Sequence, residues 1–270
     1  GYGMCCRGAC QVRHNGARAS AVRGVKVQAL LAYLAVESDR PHSRSLLAGL
    51  LWPELPEGDA LRNLTQSLVR VRAGFADGTD PVLADRTSMQ WRADVATVDV
   101  GEFARLAGSA DLADLERAAA LYQGELLAGF GLPGCEAFEH WLLLKRETLR
   151  EQALAVLQTV TERYLAAGRA AEAVAAAGRQ LALDPWREAA YRQLMCAHAL
   201  NGDRAAALAA YARCAETLRN DLGVTPDSET AQPAERIRVG AAALRVAPAA
   251  RESMRHHTHN LPATLAPLVG

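Results

Sequence analysis

The sequence has almost no lysine, no long apolar run and no phosphate-binding glycine loop. Lys26 and Lys145 are the only lysines, so nearly all positive charge is arginine. With abundant alanine, that bias reads first as the mark of a GC-rich genome. It also suits phosphate, because a guanidinium pairs with it in a fixed fork. No stretch approaches the ~20 apolar residues that a membrane helix needs. The opening GYGMCCRGAC lacks the charged-then-apolar pattern of a secretory signal, so a cytoplasmic protein without membrane contact is expected. Six cysteines, at positions 5, 6, 10, 135, 196 and 214, form no CxxC pair and read as reduced thiols. A zinc site from Cys5, Cys6, Cys10 and His14 would lack any second metal-type spacing. No GxxxxGK[ST] run occurs, which excludes a phosphate-loop ATPase from this sequence. The seven histidines are scattered, with no nucleophile, base and orienting acid in a recognisable set. No enzyme activity and no cofactor are expected.

Charge balances overall, with 30 basic and 30 acidic residues in 270. That excludes a surface of one sign but leaves room for a local patch. Residues 1–75 hold ten Lys/Arg against five Asp/Glu, a net of +5, and the remainder is acidic by the same amount.

The basic excess coincides with the most patterned stretch, residues 24–75. Residues 10–14 suit a strand, and Asn15-Gly16 is a hairpin turn signal. After Gly24, Val27, Leu30, Leu31 and Leu34 recur on one helical face. Asp39-Arg-Pro41 ends that helix, and Ser43 is the expected N-cap of a second over 44–51. Trp52-Pro-Glu-Leu-Pro56 is a rigid turn, and Asp59 is the expected cap of a third helix. There Leu61, Leu64, Leu68, Val71 and Phe75 fall on one side, and Arg62, Asn63, Gln66, Val69 and Arg70 on the other. A plain solvated face has the same periodicity. Two features favour DNA: acids are missing beyond the first turn, and Arg, Asn and Gln are the side chains that bridge base edges. Residues 81–84 and 89–91 then flank a polar tip, Asp85-Arg-Thr-Ser88, as in a hairpin wing. Arg86 and Arg92 there suit phosphate or the minor groove, or a solvated sheet edge.

Beyond Asp99 strand signals vanish. Helices are expected over 103–106, 112–127, 136–166 and 170–183, with a break at 129–134. Asp184-Pro185 reads as the N-cap and first-turn proline of the next helix. Gly168 and Gly202 lie 34 residues apart, and Glu172-Ala-Val174 aligns with Ala206-Ala-Leu208. That period is the tetratricopeptide signature, with helices at 136–150 and 227–239 as partial repeats or caps. Pro233 is expected to interrupt the last helix. From Val239 the Ala/Pro-rich tail, with His256, His257 and His259, reads as a linker. The fold class is therefore mainly α with a small β component. A winged helix-turn-helix domain (1–100) precedes an all-α tetratricopeptide-like domain (101–240) and a linker (241–270).

Particular motifs carry a family resemblance. Lys26, Ala29-Leu-Leu-Ala-Tyr-Leu34, Pro41, Ser43-Arg44, Leu51-Trp-Pro53, Asn63-Leu64, Gln66, Leu68, Arg70, Arg72 and Ala84-Asp-Arg86 resemble the OmpR-type winged helix of the SARP/AfsR group of antibiotic regulatory proteins. Residues 101–238 resemble the bacterial transcriptional activator domain that follows it there. The carriers are Leu121-Tyr-Gln-Gly124 through Phe130, Phe138-Glu-His-Trp141, Leu183-Asp-Pro-Trp-Arg-Glu188, Asn201-Gly202 and Asp221-Leu-Gly-Val-Thr-Pro226. Residues 260–270 resemble the lead-in to the ATPase domain of larger members, so the chain is expected to be the N-terminal part of a larger regulator.

The resemblance implies a mechanism. Arg62, Asn63, Gln66, Val69 and Arg70 would read the major groove. Ser43, Arg44, Arg72, Arg86 and Arg92 would hold backbone or wing contacts. Trp52, Glu54 and Glu57 would face RNA polymerase. Partners would be double-stranded DNA at promoter direct repeats, RNA polymerase, a second copy on DNA, and a protein on the helical repeats. Thr65 and Val69 depart from the basic and small polar residues usual at their positions. Met4 to Cys10 also stands where an aliphatic strand is expected. The alternative is a tetratricopeptide-like interaction module with a degenerate DNA-binding domain.

Overall fold

The computed structural model describes residues 2–5, 11–14, 17–18, 24–75 and 80–240. The Asn15-Gly16 turn, the junction at Gly78 and the histidine-bearing tail lie outside them.

Three short strands open the chain: β1 (Tyr2–Cys5), β2 (Gln11–His14) and β3 (Ala17–Arg18). β1 pairs antiparallel with β2, Tyr2 opposite His14, and β2 with β3. Strand β7 (Ala96–Val98) returns to lie parallel to β1, giving the sheet order β3-β2-β1-β7.

Helices α1 (Val25–Val36), α2 (Arg44–Leu51) and α3 (Glu57–Ala73) form the three-helix unit. α1 buries more than one face: every residue from Ala29 to Ala35 is inside. A helix that is apolar all round is a central one, and here a later helix covers its second side. Ser43 caps α2 as expected, its hydroxyl accepting from the Leu46 N–H at 3.2 Å. Asp59 does not cap α3. The helix starts at Glu57 behind Pro56, so Asp59 sits in its first turn, where acids suit the helix dipole.

The wing consists of β5 (Val82–Ala84) and β6 (Ser88–Trp91), joined by β4 (His42–Ser43) in the order β4-β6-β5. Val82 faces Trp91 and Ala84 faces Met89. Met89 and Trp91 point inward, and Phe75, just past the end of α3, packs edge-on against Trp91 at 6.3 Å.

The second half is helical: α4 (Asp99–Ala107), α5 (Leu112–Leu121), α6 (Glu136–Ala166), α7 (Ala170–Leu183), α8 (Glu188–Leu200), α9 (Arg204–Leu222) and α10 (Ser228–Arg238). Four expectations are corrected. α5 stops at Leu121 rather than 127, because the chain turns into a loop that puts buried Leu127 at φ 50°. Arg146 holds that loop, donating to the carbonyls of Leu126 and Leu127 at 2.8 and 2.6 Å. α6 is one continuous helix, so no partial repeat ends at 150. Asp184 caps a turn, accepting from the Trp186 N–H at 3.1 Å, and α8 starts only at Glu188. Pro233 does not break α10, whose first turn is fixed by Asp227 accepting from the Thr230 N–H at 2.8 Å.

The 34-residue period is present in the backbone. Gly168 and Gly202 both adopt left-handed φ, 72° and 77°, where a side chain would be strained. The Arg169 N–H reaches the Tyr164 carbonyl and the Asp203 N–H the His198 carbonyl, each at 2.9 Å. Ala173 and Ala207 are fully buried, as the close approach of paired helices requires.

One apolar cluster runs from α1 through the wing and α4–α6 to Ala176 of α7. A second joins α7–α10 through Ala177, Leu194, Met195, Ala207, Ala210, Ala234 and Ile237.

Candidate nucleic-acid interface

α3 lays Ala60, Leu64, Ser67, Leu68 and Val71 against the core. Leu61 is only partly buried. The opposite side exposes Arg62, Thr65, Gln66, Val69, Arg70 and Ala73, with Asn63 half-buried at the border. No acid lies in that stripe. Arg62 is tied to Asp59 one turn earlier, and α3 ends with Arg70 and Arg72 in its last turn.

Arg44 joins this helix to the wing. Its Nη2 donates to the Thr65 hydroxyl at 2.7 Å and its Nη1 to the Asp85 carbonyl at 3.3 Å. Its backbone N–H donates to the Thr87 carbonyl at 2.9 Å. Asp85 organises the tip: its carboxylate accepts the N–H groups of Thr87 and Ser88, each at 2.7 Å, and both hydroxyls at 3.0 Å. Those backbone donors, then the hydroxyls, hold the Asp85 carboxyl down at about 2. Arg86 stands exposed on this tip.

The remaining cations differ in freedom. Arg72 fastens the wing to the end of α3, pairing with Asp80 at 2.7 Å and donating to the Val82 carbonyl at 3.3 Å. Arg92 pairs with Asp94 at 3.1 Å. The geometry therefore brings Arg62, Gln66, Val69, Arg70, the bridging Arg44 and the tip Arg86 into one region, and gives Ser43 and Arg72 internal bonds.

In the turn between α2 and α3, Trp52 is buried beneath Lys26, whose Nζ lies 5.4 Å from its ring. Lys26 also pairs with Glu54 at 2.7 Å, and that bond draws the Glu54 carboxyl below its ordinary range. Glu57 accepts from the Ser45 hydroxyl at 3.1 Å and is exposed. Glu54 and Glu57 thus form the accessible edge of this turn, and Trp52 supports it.

Sequence reasoning missed how the helical half grips this unit. Trp141 of α6 donates its indole N–H to Glu37 at 2.7 Å, Lys145 pairs with the same carboxylate at 2.7 Å, and Trp141 packs on Tyr33 at 4.8 Å. The Cys135 thiol donates to the Leu51 carbonyl at 3.3 Å. Trp141 stands 104 residues from Glu37, beyond the reach of any local pattern.

The chain thus sets a winged helix, with no acid in the exposed stripe of α3, on a tetratricopeptide-like array, and its relatives place it among transcription regulators. A model of the bacterial transcriptional activator domain matches residues 95–238. The chain belongs to that family, among the SARP-type transcriptional regulators. It is 31% identical over 252 residues to the regulatory protein AfsR of Streptomyces coelicolor, across 89% of this chain and 24% of that protein. It thus spans about a quarter of the length of that relative. The transcriptional regulatory protein MoaR1 of Mycobacterium tuberculosis is 26% identical over 217 residues, covering 74% of this chain and 68% of MoaR1. The solved structure of M. tuberculosis EmbR in complex with a low-affinity phosphopeptide shares the fold. Its TM-score is 0.66 at 22% identity, over 88% of this chain and 65% of that one.

Proposed function

We propose that this chain is a sequence-specific DNA-binding activator that docks α3 in the major groove of promoter direct repeats and recruits RNA polymerase. The carrying observation is the stripe Arg62, Gln66, Val69, Arg70, exposed on one helix face without an acid and bridged to the wing by Arg44. Arg and Gln have the donor geometry to bridge guanine and adenine edges. Asn63 borders the reading set. Arg86 and Arg92 supply wing contacts to the backbone. Ser43, Arg44 and Arg72 act mainly by holding the wing and α2 against α3. Glu54 and Glu57, propped by Trp52, form the polymerase-facing edge. Two copies would sit side by side on the repeats, and α7–α10 would take a protein partner. No helix among the described residues is long and apolar enough to cross a membrane, and a cytoplasmic regulator is the matching expectation.

The test is fluorescence anisotropy on duplex DNA at several salt concentrations. Affinity should fall linearly on a log–log plot with salt, by about 0.9 per phosphate contacted. Arg70→Ala should weaken binding by about 1–3 kcal/mol if Arg70 reads a base. Arg62→Ala should cost less, because Asp59 already partly neutralises it. Binding insensitive to salt and to both substitutions contradicts the proposal.

The alternative, an interaction module with a degenerate winged helix, draws on the far end of the repeats. There the exposed Trp186 donates its indole N–H to Asp221 at 3.0 Å, next to exposed Leu222 and Val224. It predicts partner capture through residues 136–238 without duplex binding.

A further inference from the structure

The exposed face of α3 is built as two ridges. At about 3.6 residues per turn, residues four apart line up along a helix. Arg62, Gln66 and Arg70 make one ridge of polar side chains. Thr65, Val69 and Ala73 make the next, and all six are exposed. The second ridge offers methyl groups and a single hydroxyl. That hydroxyl is already engaged, accepting from Arg44 at 2.7 Å and donating to the Leu61 carbonyl at 2.9 Å.

Val69 is the centre of this ridge and is 61% exposed. Single exposed apolar residues are ordinary on protein surfaces. This one lies on the ridge beside Gln66 and Arg70, whose side chains suit base edges, and no packing among the described residues accounts for it. The apolar feature of the major groove is the C5-methyl group of thymine, which aliphatic side chains contact.

We infer that Val69 is a specificity residue that recognises a thymine methyl, with Thr65 beside it on the same ridge. The inference rests on the DNA-binding reading above and names what that reading leaves open: the site carries a thymine near the base read by Gln66. Three residues of helix rise about 4.5 Å, against about 3.4 Å per base along one strand. The thymine therefore lies within a step or two of the Gln66 contact. Gln66 favours adenine through its N6 and N7, so an A·T-bearing segment is the expected target.

The experiment uses the full chain and one random duplex pool amplified with either dTTP or dUTP, which differ by that methyl alone. The best-retained sequence is then made in both forms and titrated. Wild type should bind the uracil duplex about fourfold more weakly per contacted thymine, equivalent to about 0.8 kcal/mol for one methyl-sized group. Val69→Ser should bind both duplexes equally. Val69→Thr, which keeps a methyl, should retain most of the difference. Equal binding of both forms by wild type overturns the inference and leaves the DNA-binding reading standing. So does a fourfold difference that persists in Val69→Ser. Retention of neither pool overturns the DNA-binding reading, and the inference with it.

Discussion

Asp85 and Arg44 show how much of the wing's placement on α3 rests on single side chains. The Asp85 carboxylate gathers four donors at the wing tip, and its pKa falls from an ordinary 3.8 to about 2. A carboxyl with a lowered folded value stabilises above its unfolded pKa and loses that contribution as pH drops through the folded one. The tip should therefore hold above about pH 4 and loosen progressively toward pH 2. Protection of the Thr87 and Ser88 amides in hydrogen exchange should follow that course, and Asp85→Ala should lower protection near neutral pH, with a difference that shrinks toward pH 2. Arg44 makes a different point. Two guanidinium nitrogens reach two acceptors on different elements, a fork that one ammonium does not reproduce. Arg44→Lys keeps the charge, so the salt dependence of DNA binding should stay while affinity drops roughly fivefold, about 1 kcal/mol. Unchanged affinity and unchanged wing protection in Arg44→Lys would contradict the bridging role.

Helices and strands were legible in the sequence where a local signal governed them. Gly168 marked the start of α7, and Ser43 marked the start of α2, because caps and left-handed turns act within a few residues. Local rules misplaced the start of α3 and the end of α5, where tertiary contacts decide. Arg146, on α6, holds the loop after α5, and no pattern near residue 121 announces it. α10 is the converse case: the helix continues through Pro233 although a proline there removes one backbone bond and crowds the preceding turn. Pro233→Ala should therefore stabilise the protein, by up to about 3 kcal/mol. Thermal unfolding should rise by about 2–4 °C for each kcal/mol gained. A lower melting temperature would show that the proline is accommodated without cost.

The two halves of the described molecule share a core, which the sequence had suggested only as consecutive domains. The apolar cluster continues from α1 and the wing into α4–α6. Glu37 pins the junction. Burial pushes its carboxyl up, but the bonds from Lys145 and Trp141 outweigh that and bring it below its ordinary value. Glu37→Ala should cost about 1–3 kcal/mol near neutral pH, since it strands a half-buried indole N–H and an ammonium. That difference should shrink as acid protonates the wild-type carboxylate. Calorimetry should show one main unfolding transition shared by α1–α3 and α6. The candidate interface was legible as a face, because periodicity and charge are local. The Arg44 bridge and the grip of α6 were not, because they join residues 21 and 104 positions apart.

The most direct test of the central claim is to incubate the purified chain with sheared DNA of its own genome and sequence what it retains. A regulator that reads DNA through α3 should enrich one A·T-bearing motif repeated at about one helical turn, ~10–11 bp. Enrichment should be lost in Arg70→Ala. Retention without any motif, or identical enrichment by the variant, would contradict the assignment of α3 as the reading helix.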